Sequence, residues 1–165
     1  MRRWRRLALL AATAALAGCG PQPQAECRVS APNGSLPPGE QMASADYLGN
    51  GKLWTVLWPD GQVVFEPGGT GEIRPDGSLA MKFPFWRGEG VVGDLLIYSE
   101  RLDGDGSPVA GEIPEGYGDG GFQAAALVFP SAGCWPVTAG VGDDAPTFTT
   151  QVVLAAMGDE GLIGR

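Results

Sequence analysis

The side chains able to do covalent chemistry are few. Cysteines stand at Cys19, Cys27 and Cys134, and the 165 residues contain no histidine. Without imidazole there is no Ser-His-Asp or Cys-His nucleophile and no histidine proton switch. Cysteines without histidine make half a zinc ligand set at best, so no metal and no cofactor is expected. Asp103-Gly104-Asp105-Gly106-Ser107 offers oxygen ligands at alternate positions, as a calcium loop does. Its sixth position is Pro108 and its twelfth Pro114, where an EF-hand needs Gly and Glu, so it reads as an acidic hairpin turn, the alternative being a weak non-EF calcium site to which Glu112, Glu115 and Asp119 add ligands. Arg87, Arg101, Glu89, Asp94 and Glu100 include carboxylates a hydrolase could use, but surface ion pairs account for them equally well. No catalytic residue is assigned, and the expectation is a protein that is not an enzyme.

The residues able to bind rather than react are aromatic. Trp54 and Trp58 are four apart on a strand-like run, which places them on one face about 13 Å apart. With Trp86 they are the candidate ligand-binding residues, a strip that would stack on a sugar ring or an aromatic ligand. Leu53, Thr55 and Leu57 line the opposite side, and strands apolar on both faces are usually buried on both. Core packing is therefore the stronger reading of this pair. Cys134 and Trp135 leave opposite faces of their strand, so one of them must point inward.

What positions these residues begins with the leader. Residues 1–6 carry four Arg and no acid, and 7–16 are an unbroken run of Leu, Ala and one Thr. Ten apolar residues are too few to span a bilayer, which takes about 20. A basic head, a short apolar middle and small residues beyond it form a cleavable signal peptide over 1–18. The run ends Leu16-Ala17-Gly18-Cys19, which resembles the lipobox of bacterial lipoproteins. That resemblance implies diacylglycerol transfer to the Cys19 thiol, cleavage before Cys19 and acylation, such as by palmitate, of the freed amine. Two or three acyl chains hold a protein stably on a membrane. The implied location is extracytoplasmic and lipid-anchored: the outer membrane in a cell that has two, since Gly20 is no Asp-type retention signal, and otherwise the cell membrane.

Removing 1–18 takes four of the 11 basic residues and none of the 19 acids, leaving a formal charge of −12. Such a chain is repelled by phosphate backbones and anionic headgroups. No nucleic-acid partner is expected; the membrane is reached through lipid, and an envelope protein is the natural partner class. Outside the cytoplasm, Cys27 and Cys134 are more readily paired than free. The alternative is two buried thiols packing as small hydrophobes.

Residues 19–42 read as a lipidated Cys and a Pro/Gly-rich tether, 43–156 as the folded domain and 157–165 as a short tail. With Gly and Pro at 41 of 165 positions and 44% apolar residues, the domain is turn-rich yet too hydrophobic for disorder. Strand candidates are 52–58, 62–65, 79–86, 95–102, 109–113, 122–129, 134–141 and 147–154, each bounded by Gly, Pro or Asp. The first two, joined through Pro59-Asp60-Gly61, form the expected hairpin. Pro84 places its strand at an edge or a bulge. The fold expected is all-β, an immunoglobulin-like β-sandwich of about 7–9 short strands, with a small β-barrel as the alternative.

A wider set of segments resembles a family of bacterial lipoproteins with a single immunoglobulin-like β domain. It comprises Gly49-Asn50-Gly51-Lys52-Leu53-Trp54, Trp58-Pro59-Asp60-Gly61, Asp76-Gly77-Ser78-Leu79, Lys82-Phe83-Pro84, Phe85-Trp86-Arg87-Gly88, Arg101-Leu102-Asp103, Ile113-Pro114-Glu115-Gly116-Tyr117-Gly118, Gly121-Phe122-Gln123 and Gly133-Cys134-Trp135. The resemblance implies lipid anchoring and one β domain, and carries no catalytic residues. The functional expectation is a non-catalytic structural or interaction module of the cell envelope. The alternative is carbohydrate or small-ligand binding through exposed tryptophans.

Overall fold

A computed structural model describes residues 26–39, 46–104, 106–118 and 120–155. The signal peptide, Cys19 and the tail 157–165 lie outside the described residues. Ten strands run in chain order: β1 (Tyr47–Gly49), β2 (Leu53–Val56), β3 (Gln62–Phe65), β4 (Glu72–Ile73), β5 (Leu79–Arg87), β6 (Leu96–Ser99), β7 (Ala110–Glu112), β8 (Gly121–Phe129), β9 (Gly133–Gly140) and β10 (Thr147–Leu154). A six-stranded sheet has the order β1-β2-β5-β8-β7, with β4 also on β5, and a four-stranded sheet has the order β3-β10-β9-β6. The sheets do not close on each other, so the architecture is a sandwich and the barrel is set aside. β4-β5-β8-β7 opposite β10-β9-β6 reproduces the two-sheet strand order of immunoglobulin-type domains. Among the described residues no helix is long and apolar enough to cross a membrane.

Alternation sets the layers. Along β5, Leu79, Met81, Phe83 and Phe85 face inward, and along β8 Ala125, Leu127 and Phe129 do; from the other sheet come Val63, Phe65, Trp135, Val137, Phe148 and Val152. Phe83 stacks on Phe148 across the two layers, centroids 5.6 Å apart. The open side between β6 and β7 is closed by Ile97 lying over Gly111, where an added Cβ would sit 2.8 Å from Ile97 Cβ.

Three expectations need correction. β2 and β3 are not a hairpin: β3 lies in the other sheet, parallel to β10, with Gln62 opposite Gln151. Pro59–Gly61 is a single 3-10 turn in which Asp60 (φ 55°) and Gly61 (φ 66°) are both left-handed, and it carries the chain across the core. Leu53 and Leu57 thus enter the core from one sheet, Val63 and Phe65 from the other. Pro84 is neither at an edge nor in a bulge, because β5 pairs with β8 along its whole length. The proline is tolerated because β5 changes partner on its other flank there, from β4 at Leu79–Ala80 to β2 at Phe85–Arg87. In that gap its carbonyl accepts a bond from Thr55 Oγ1 at 2.9 Å. The strand count is ten among the described residues because β1 and β4 are too short to show a period.

The segment read as tether is laid on the sandwich from its first described residues. Cys27 and Cys134 form a disulfide, with Cα atoms 5.5 Å apart. Ser30 N–H donates to Thr149 O and Thr149 N–H to Ser30 Oγ, each at 2.9 Å. Asn33 then bridges to β1 through Gly49 N and O. Trp135 points into the core, so Cys134 and its disulfide lie on the outer face of the four-stranded sheet.

Candidate binding face

The three tryptophans do not form one strip. Trp54 is 4% exposed, donates through Nε1 to Ser35 Oγ at 3.0 Å and lies flat over Gly49, where any Cβ would collide with its ring. It is a packing residue, so the reading as ligand contact is corrected for Trp54. Trp58 lies beyond the end of β2, half-buried and edge-on to Phe83 at 6.4 Å, so it does not share Trp54's face as the spacing suggested. Trp86 is half-buried on the outer face of β5, opposite Trp54 in the ladder.

What the outer face of the six-stranded sheet does bring together is a different aromatic row. Tyr47, Trp86, Phe122 and Tyr117 follow one another at centroid distances of 5.4, 5.3 and 6.2 Å, all edge-to-face. Tyr47 at the inner end is 3% exposed, whereas Phe122 and Tyr117 at the outer end are 49% and 37% exposed. Beside it, alongside Lys82, Pro84 and Val128, three outward positions of β5 and β8 are small: Ala80, Ala124 and Ala126. They floor a trough made of two adjoining hollows of about 540 and 310 Å³, which share Lys82, Glu112 and Ala126. Trp58 stands at one end and Tyr117 at the other.

The trough's polar wall is preset. Arg74 donates to Glu112 through both terminal nitrogens, Nη1 to Oε1 at 2.8 Å and Nη2 to Oε2 at 2.7 Å, and its Nε lies 3.5 Å from Glu72. Hydrogen bonding to Glu112 raises the Arg74 pKa further above its usual value, and the reciprocal bond holds the Glu112 carboxyl below the ordinary range. Among the described residues Lys82 makes no ion pair.

Tyr117 is held by a clamp at the end of the core. Among the described residues the Arg87 guanidinium, 7% exposed, donates to neutral oxygens: Gly93 O at 2.6 Å, Gly118 O at 3.1 Å and Gln123 Oε1 at 2.5 Å. Arg87 thereby ties two loops to the strand ends, rather than pairing with Glu89 or Asp94. Arg101 pairs instead with Asp103 at 2.6 Å and lies 5.9 Å over the Trp135 ring. Partial burial pushes the Asp103 carboxyl up, but bonds from Arg101 and the Cys134 amide outweigh it and leave the group below its usual range. Among the described residues no cluster of three metal-ligating side chains occurs.

Reasoning from sequence missed Tyr47, Arg74, Lys82, Tyr117 and Phe122, and took Glu112 only as a further oxygen ligand for a calcium loop. The readable signal was the outward register Phe122-x-Ala124-x-Ala126 on a strand whose inward residues are Gln123, Ala125 and Leu127. No protein-family model, no curated protein and no solved structure matches this chain.

Proposed function

We propose that this protein is a lipid-anchored, non-catalytic binding module of the cell envelope that presents the outer face of its six-stranded sheet to a partner. The observation that carries the reading is that face, where an Ala-floored trough and a row of partly exposed aromatics lie side by side. The lipobox-like Leu16–Cys19 supports the anchor, as does the resemblance to lipoproteins with one β domain. The disulfide supports the orientation. It leaves eight residues from Cys19 to Cys27, at most about 28 Å of chain, and roots them on the outer face of the four-stranded sheet. The trough lies on the opposite side of the sandwich, turned away from the anchor. In the trough wall, hydrogen bonding to Arg74 holds the Glu112 carboxyl below its usual range, which suits a binding wall better than an acid-base pair.

A photo-crosslinking residue placed in intact cells at Ala126, in the trough, or at Val153, on the other sheet's outer face, tests this. Adducts are expected from Ala126 alone, and Cys19→Ser is expected to yield a chain without acyl mass that no longer makes them. Adducts from Val153 alone, or an acyl-free wild-type chain, would overturn the reading.

A further inference from the structure

Resting on that reading of the face, we propose that the trough binds a neutral oligosaccharide. Its floor spans β5, β8 and the neighbouring edge β7, two strand spacings or roughly 10 Å, so it suits a short chain of linked rings better than a single one. Ala80, Ala124 and Ala126 let a flat ring approach the sheet closely. Trp58 and Tyr117, at opposite ends, offer aromatic surface to the apolar C–H faces of pyranose rings.

The polar wall matches hydroxyl groups. Glu72 and Glu112 supply acceptors, Arg74 and Lys82 supply donors, and the four carry no net charge. Arg74 has five N–H donors and Glu112 about four lone-pair positions, so their mutual pair leaves both with capacity. A hydroxyl donates and accepts at once and can insert beside such a pair without stranding either partner. An anionic chain would gain nothing from a balanced wall and would meet a mature body of charge −12. An extended peptide binds sheets by adding a ladder at an edge. This trough instead crosses the face of β5 and β8, whose backbone groups are already paired with each other from Leu79–Phe129 to Arg87–Gly121.

The test uses the full mature chain in detergent, titrated with three neutral probes: linear β-glucan, N-acetylglucosamine and mannan oligomers. Oligogalacturonate and an uncharged extended peptide serve as comparison probes. At least one neutral oligomer is expected to quench Trp58 fluorescence and shift the amide signals of Ala124 and Ala126. Trp58→Ala and Glu112→Gln are each expected to weaken it tenfold or more. Ala126→Leu, which fills the floor from a surface position, is expected to abolish binding with the fold intact, and Tyr98→Ala on the other sheet to leave it unchanged. Failure of all three neutral oligomers, tighter binding of oligogalacturonate or peptide, or binding that survives Ala126→Leu would overturn the proposal. Protein adducts at Ala126 without sugar binding would sink the ligand class while leaving the face standing; adducts at Val153 alone would remove both.

Discussion

Breaking the Cys27–Cys134 bridge should cost the domain a large part of its stability. The two residues are 107 apart in sequence. In the chain-entropy account a loop of that length contributes about 4.7 kcal/mol by restricting the unfolded chain. Domains of this size are stable by about 5–15 kcal/mol in total. At roughly 3–4 °C per kcal/mol for a chain of this length, the melting temperature should fall by about 10–20 °C. The comparison is between the mature chain as isolated and the same chain reduced and alkylated, or the Cys27→Ala/Cys134→Ala double variant, followed by calorimetry. Intact-mass analysis of the untreated protein should show no free thiol at either position. Residues 33–35 keep bonds to Tyr47, Gly49 and Trp54, whereas residues 26–30 have only those of Ser30 to Thr149 besides the bridge among the described residues, so the amides of 26–30 should lose hydrogen-exchange protection on reduction. A midpoint unchanged within 2–3 °C, or two alkylatable thiols in the untreated protein, would refute the reasoning.

Trp135→Ala should destabilise the fold by about 3–5 kcal/mol in chemical denaturation, since it empties the core under Phe129 and strands the Ser131 carbonyl that accepts from Nε1 at 3.2 Å. Gly61→Ala should cost at least ~1 kcal/mol in the same assay, because Gly61 is left-handed and a Cβ there would lie 2.5 Å from Val29 Cβ. Asp103 is depressed in the fold, so its contribution is fully present above the ordinary carboxylate value near 4 and is lost as pH falls through the lower folded value. Asp103→Asn should therefore flatten the acid limb of a stability-versus-pH profile and leave its shape above pH ~5 unchanged. Arg87→Met should leave the six-stranded sheet formed but release Gly93 and Gly118, read as faster amide exchange in 88–94 and 113–118 and as a shifted Tyr117 ring signal.

How far the sequence could be read depended on the range of the forces involved. Strands β5, β8, β9 and β10 showed themselves because eight or nine residues of alternation between Gly, Pro and Asp leave little else to form. Their two-sheet arrangement followed from the same pattern. The crossing at Pro59-Asp60-Gly61 could not be read, since a turn with two left-handed residues serves a hairpin as well as a change of sheet. What decides between them is where Val63 and Phe65 find a core. Pro84 misled because the argument against proline inside a sheet assumes one partner per flank, and β5 has two in succession. The tryptophans drew attention by type. Trp54 is covered by Ser35 and Gly49, contacts set by chain 5 to 19 residues away. The trough instead rests on Arg74 reaching Glu112 across 38 positions, which no local pattern encodes.

The most direct measurement is hydroxyl-radical footprinting of the protein in intact envelopes against the purified mature chain. If the six-stranded sheet presents the binding face, Trp58, Trp86, Tyr117 and Phe122 should be protected in the envelope while Tyr98 and Leu96 on the four-stranded sheet react equally in both. Protection confined to Tyr98 and Leu96, or identical footprints in the two preparations, would contradict the account.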